Sequence, residues 1–174
     1  MPHFALFARP WWVNLLVLSP GAPYLLSING KLRLGWKRLV AAALFGIAFG
    51  FVEAAVVVYL RAAAGLLPAR SNQAFAVPEF LLKIEFFREA ATMVMLGAVA
   101  WFAGQRWRER VTAFLWTFAF WDLFYYVWLR IAIGWPGSLL SPDVLFLIPV
   151  PWLAQVWFPI LVSGLMILVI ALRA

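Results

Sequence analysis

The chain has 174 residues, 66% of them apolar and only 12% charged, with a net charge of +7 and no cysteine. Soluble domains carry roughly 25% charged and 45–50% apolar residues, so this composition excludes an ordinary water-soluble domain and places the chain in a bilayer. Disulfides, thiolate metal sites and a cysteine nucleophile are excluded too. His3 is the single histidine, which removes histidine-bound heme and a Ser-His-Asp triad from the interior.

Residues 1–38 read as an N-terminal interfacial segment followed by a basic cytoplasmic flank. Within Pro10–Ile28, Trp11 and Trp12 suit a membrane interface, while Pro20, Gly21 and Pro23 interrupt the apolar run. A fifth, broken span over this stretch is the alternative. The flank holds Lys31, Arg33, Lys37 and Arg38.

Residues 39–174 are expected to form an all-α polytopic bundle of four transmembrane helices, at about 39–60, 79–104, 111–131 and 143–172. Runs beyond 18 apolar residues indicate helices, because barrel strands need only about 10 and alternate. The second helix opens at Pro78-Glu79, where proline suits the first turn. Ser141 and Asp143 read as caps at the start of the fourth, which Pro149, Pro151 and Pro159 should kink or break.

Lys and Arg in the flanks set the orientation. With the first helix starting inside, the cytoplasmic side receives Lys31, Arg33, Lys37, Arg38, Arg106, Arg108, Arg110 and Arg173; the outer side receives Arg61, Arg70 and Arg130. Both termini are therefore expected in the cytoplasm of a bacterial inner membrane. The basic residues flank apolar runs, so anionic lipid rather than nucleic acid is the expected contact.

The charges inside the helices fall at one depth. Glu53 on the first helix, Glu85, Arg88 and Glu89 on the second, and Asp122 on the third lie ~9–16 Å below the outer boundary at 1.5 Å per residue. Glu85, Arg88, Glu89 and Thr92 share one helix face, as do Asp122, Tyr126 and Arg130, with Tyr125 beside them. Gly46, Gly50 and Glu53 lie on one stripe, and the GxxxG step allows close helix approach. A mid-membrane charge costs about 2.5–3.5 kcal/mol on insertion scales, so such groups face inward and find partners.

Glu53, Glu85, Arg88, Glu89, Asp122, Tyr125 and Tyr126 are therefore the candidate site: either a pocket opening outward or a polar staple that holds the bundle together. As a pocket it suits a lipid or isoprenoid-like ligand, in a non-enzymatic binder or membrane subunit with other subunits as partners. An enzyme using carboxylate acid–base chemistry, with Mg2+ or Mn2+ conceivable on hard oxygen ligands, is the second reading. A proton- or cation-coupled transporter, as an oligomer, is the third. No cofactor is called for by any motif.

The blocks from Phe49 to Arg61, Arg88-Glu89-Ala90-Ala91-Thr92, Phe120 to Leu129 and Leu147 to Trp152 resemble an uncharacterised family of small bacterial multi-spanning membrane proteins. The resemblance would run from about Lys31 to the fourth helix. It implies the same membrane topology and transfers no functional residue. The prenyl-protein peptidases need intramembrane histidines and the aspartate-rich prenyltransferases need paired DxxxD motifs; the sequence has neither.

Overall fold

The computed structural model describes residues 7–27, 34–63 and 79–174, the side chains of 79–82 excepted. His3, Lys31, Arg33, Arg70 and Pro78 lie outside the described residues. The chain is mostly helical. A 3-10 helix, Trp11–Leu18, precedes the short α1 (Gly21–Ser27); α2 (Trp36–Ala63), α3 (Glu79–Ala103) and α4 (Trp107–Ile133) follow. Then come β1 (Pro142–Phe146), β2 (Trp152–Gln155) and α5 (Trp157–Arg173).

Trp36–Ala63 and Lys83–Ala103 are long and apolar enough to cross a membrane. The third expected span, α4, matches them in length, but its Trp, Thr, Tyr and Asp residues dilute its hydropathy. It begins four residues before the expected Val111, because Glu109 accepts hydrogen bonds from the Gln105 and Arg106 amides and caps the first turn. Its other end closes at Gly134, whose φ of 72° is the left-handed conformation that glycine adopts without a Cβ penalty.

The fourth expected helix, 143–172, is corrected: its first part is not helical. Residues 142–155 form an antiparallel hairpin in which Asp143 faces Ala154 and Phe146 faces Trp152, with an irregularity between Val144 and Phe146. The helix itself starts at Trp157. Pro149 and Pro151 lack the amide hydrogens a helix needs and push the residues before them toward extended backbone, so the chain turns there instead. The free edge of β2 is covered by Arg9, whose amide and carbonyl exchange bonds of 2.8 and 2.7 Å with Leu153.

α4 is the hub. It runs beside α2 in the same direction, with α3 and α5 opposed. A Cβ on Gly46 would stand 2.6 Å from Thr117 O, and one on Gly50 2.8 Å from Trp121 O, so α2 and α4 approach at backbone distance. Small residues at such a crossing let the backbones approach closely and pack by van der Waals contact. Trp116 and Trp128 strengthen the seam by donating their indole N–H to Leu39 O and Ile47 O at 2.8 and 3.0 Å.

The N-terminal segment runs along α5. Arg9 pairs with the hairpin near the start of α5, Ala8 and Val13 pack in the cluster of Phe158, Val162 and Met166, and the Arg173 guanidinium lies over the Tyr24 ring. The stretch from Arg9 to Ser27 thus follows the same direction as α5 over nearly its whole length. It is broken at Ser19-Pro20 into two short helices.

Candidate functional site

Four elements meet at the end of the bundle where α2 and α4 finish and α3 begins. α2 brings Glu53, Val57 and Arg61; α3 brings Glu85, Arg88, Glu89 and Thr92; α4 brings Trp121, Asp122, Tyr125 and Tyr126. The hairpin closes one wall with Asp143 to Leu147 and Pro151. Together they enclose a cavity of ≈ 280 Å³. All seven sequence-derived candidates, Glu53, Glu85, Arg88, Glu89, Asp122, Tyr125 and Tyr126, line it.

Their polar contacts are specific. Arg88 forms a fork on Glu85, with Nε–Oε2 at 2.9 Å and a second contact from Nη2 to Oε1, and its Nη1 pairs with Glu53 Oε1. One guanidinium therefore ties two carboxylates from two helices, which suits its planar array of five donors. Thr92 Oγ1 lies 3.5 Å from the other oxygen of Glu53. Glu89 accepts the Leu147 amide at 2.8 Å, Asp122 accepts the Ser163 hydroxyl at 2.8 Å, and Asp143 accepts the Tyr126 hydroxyl at 2.7 Å.

Among the described residues the cavity therefore holds five acidic side chains and two arginines, a formal excess of three negative charges when all are ionised. Arg88 is committed to Glu53 and Glu85. Arg61 is buried, with its guanidinium 4.7 Å from the centroid of the Trp135 ring. Glu89, Asp122 and Asp143 have only neutral donors among the hydrogen bonds just given. Aromatic faces fill much of the remaining wall: Tyr125 and Tyr126 meet edge to face at 5.0 Å, and Trp121 and Phe146 lie 6.2 Å apart.

No family model, curated protein or solved structure matches the chain. The reading of the site therefore rests on its geometry.

Several contributors are absent from the sequence-derived set. Asp143 is not a helix cap; it sits on β1 and faces Tyr126. The hairpin wall, Val144 to Leu147, and Ser163 were also missed. The spacing of Pro142, Pro149 and Pro151 around short apolar runs was the available signal for a turn. Arg61 and Thr92 were legible as neighbours of the acidic layer, and both line the cavity.

Chemically, the contacts are those of a staple, because they join α2 to α3, α3 to the hairpin, α4 to α5 and α4 to β1. They also leave a space between them. Among the described residues no three His, Cys, Asp or Glu side chains converge at metal-binding spacing.

Proposed function

We propose that the chain is a multi-pass protein of the bacterial inner membrane that binds a small lipid-soluble ligand, without catalysis, in the cavity among α2, α3, α4 and the hairpin. The observation that carries this reading is that Glu89, Asp122 and Asp143, from α3, α4 and β1, meet neutral donors and border a space, beside the direct Arg88–Glu53 and Arg88–Glu85 pairs. A staple alone is satisfied by direct pairs; it needs no cavity of ≈ 280 Å³ walled by aromatics. Ligand sites are concave, apolar-walled and supplied with a few convergent polar groups, and this one is at the small end of their size range.

Membrane residence is supported by the outer faces of the helices. Phe87, Val94 and Phe102 on α3 and Leu172 on α5 are all more than two-thirds exposed, a surface suited to lipid rather than water. The hairpin is compatible with it, since non-helical backbone at membrane depth is tolerated where it is packed in protein or lines a cavity.

The orientation that fits best puts the cavity outside and the basic end, with Lys37, Arg38, Arg106, Arg108, Arg110 and Arg173, in the cytoplasm. The course of residues 9–27 alongside α5 then makes that stretch a fifth, broken crossing. On this reading Arg9 lies at the outer end of the bundle and Arg173 at the cytoplasmic end.

The test is extraction of the purified protein followed by mass spectrometry of the released lipophiles. A species enriched in the wild type and depleted in Val57→Trp, which fills the cavity, is the expected result. Identical extracts from two equally folded proteins would overturn the reading.

A further inference from the structure

The charge of the cavity narrows the ligand class. Among the described residues its cations are Arg88, shared between Glu53 and Glu85, and Arg61, stacked on Trp135. An anionic head group would meet no uncommitted arginine at Arg88 and would face Glu89, Asp122 and Asp143. A neutral head group would leave the acidic excess uncompensated in a low-dielectric setting, where lone charges are costly. A cation removes the excess, and the wall contains the aromatic residues Trp121, Tyr125, Tyr126 and Phe146, whose ring type attracts cations.

A second observation points to a ligand with an oxygen acceptor. Trp121 is only 6% exposed and forms part of the cavity wall, yet its indole N–H has no hydrogen-bond partner. Buried donors are rarely left unmatched. The apolar part of the wall, Val57, Val144, Leu145 and Leu147, accommodates a hydrocarbon stem.

We propose that the ligand is a cationic amphiphile: an ammonium group with a hydroxyl or ester oxygen beside it, carried on an alkyl chain. This rests on the ligand-binding reading above. The rival means of removing the excess charge is protonation of the acids, which would leave a neutral cavity indifferent to the charge of its occupant.

The experiment compares three single-chain probes on the purified full-length protein in nanodiscs of neutral lipid, at one ionic strength. They are N-dodecylethanolamine, its neutral isostere ethylene glycol monododecyl ether, and dodecanoate; the readout is equilibrium binding of the labelled probe. The ammonium probe should bind on the order of tenfold or more tighter than the neutral ether. In Asp122→Asn and Asp143→Asn, which keep an acceptor for Ser163 and Tyr126, that preference should shrink. Equal or tighter binding of the ether or of dodecanoate would overturn the cationic class while leaving the binding function in place. Saturable binding of none of the three would overturn both. A preference undiminished in both variants would also overturn the cationic assignment, because the selectivity would then arise elsewhere.

Discussion

Tyr126 on α4 donates its hydroxyl hydrogen to Asp143 Oδ2 on β1 at 2.7 Å, with both side chains buried. The bond joins the hub helix to the hairpin. Tyr126→Phe keeps the ring but leaves the carboxylate without this donor, at a cost of about 1–3 kcal/mol. Asp143→Asn retains an acceptor and should cost less. Thermal unfolding in detergent distinguishes the two, and equal loss in both variants would show that the bond is not what matters.

Glu89 holds the tip of the hairpin through the Leu147 amide. In Glu89→Ala that amide should exchange with solvent deuterium roughly tenfold or more faster, given about 1.5–3 kcal/mol for a bond to a charged group. Glu89→Gln keeps an acceptor and should stay close to wild type. Unchanged exchange in the alanine variant would mean that other contacts fix the turn.

Arg88 is one charge serving two acids. Removing one member of a buried ion pair costs about 3–5 kcal/mol, because the survivor remains charged and unpaired. Arg88→Ala should therefore be more damaging than the double variant Arg88→Ala/Glu53→Gln, which also removes a stranded carboxylate. If the double variant is the less stable of the two, Glu53 contributes through packing and not through charge.

Gly50 permits the backbone approach of α2 to α4, and an added Cβ would stand 2.8 Å from Trp121 O. Gly50→Ala should cost about 1–3 kcal/mol as the helices are forced apart, and the wall carrying Trp121 and Tyr125 should shift with them. Gly97 has nothing within 4 Å of its would-be Cβ, so Gly97→Ala is the control that should be tolerated.

The absence of native cysteine makes topology directly measurable. Phe7→Cys and Leu139→Cys should react with a membrane-impermeant maleimide on intact spheroplasts, whereas Trp107→Cys and Ala174→Cys should react only after permeabilisation. Labelling of position 7 from the inside alone would show that residues 9–27 do not cross.

The depth-matched acids were legible in the sequence because helical rise is constant: counting from the ends of α2, α3 and α4 places Glu53, Glu85, Glu89 and Asp122 at one level. The Gly46–Gly50 step marked the face of α2 that meets a neighbour for an equally simple steric reason. The hairpin was not legible. A short apolar run bounded by prolines reads alike as a kinked helix or a buried strand, and only tertiary pairing with Arg9 and α4 decides between them. Asp143 was misread with it, since a cap requires a helix behind it. The course of Arg9 to Ser27 along α5 was open for the same reason: composition gives hydrophobicity but not the neighbour against which it lies.

The turn between β1 and β2 has a consequence for how such a protein can diversify. A continuous helix hides its main-chain groups in its own ladder, so only side chains could reach the cavity from that side. The turn instead brings a main-chain amide to Glu89 and sets Leu147 and Pro151 in the wall, on a segment that carries none of the helix-to-helix seam. Its residues can be exchanged, or its length altered, without disturbing the glycine contacts that assemble α2 on α4. Variation in the turn would thus reshape the wall at Leu147 and Pro151 and leave the α2–α4 seam as it is, while the Tyr126–Asp143 bond keeps β1 itself tied to the bundle.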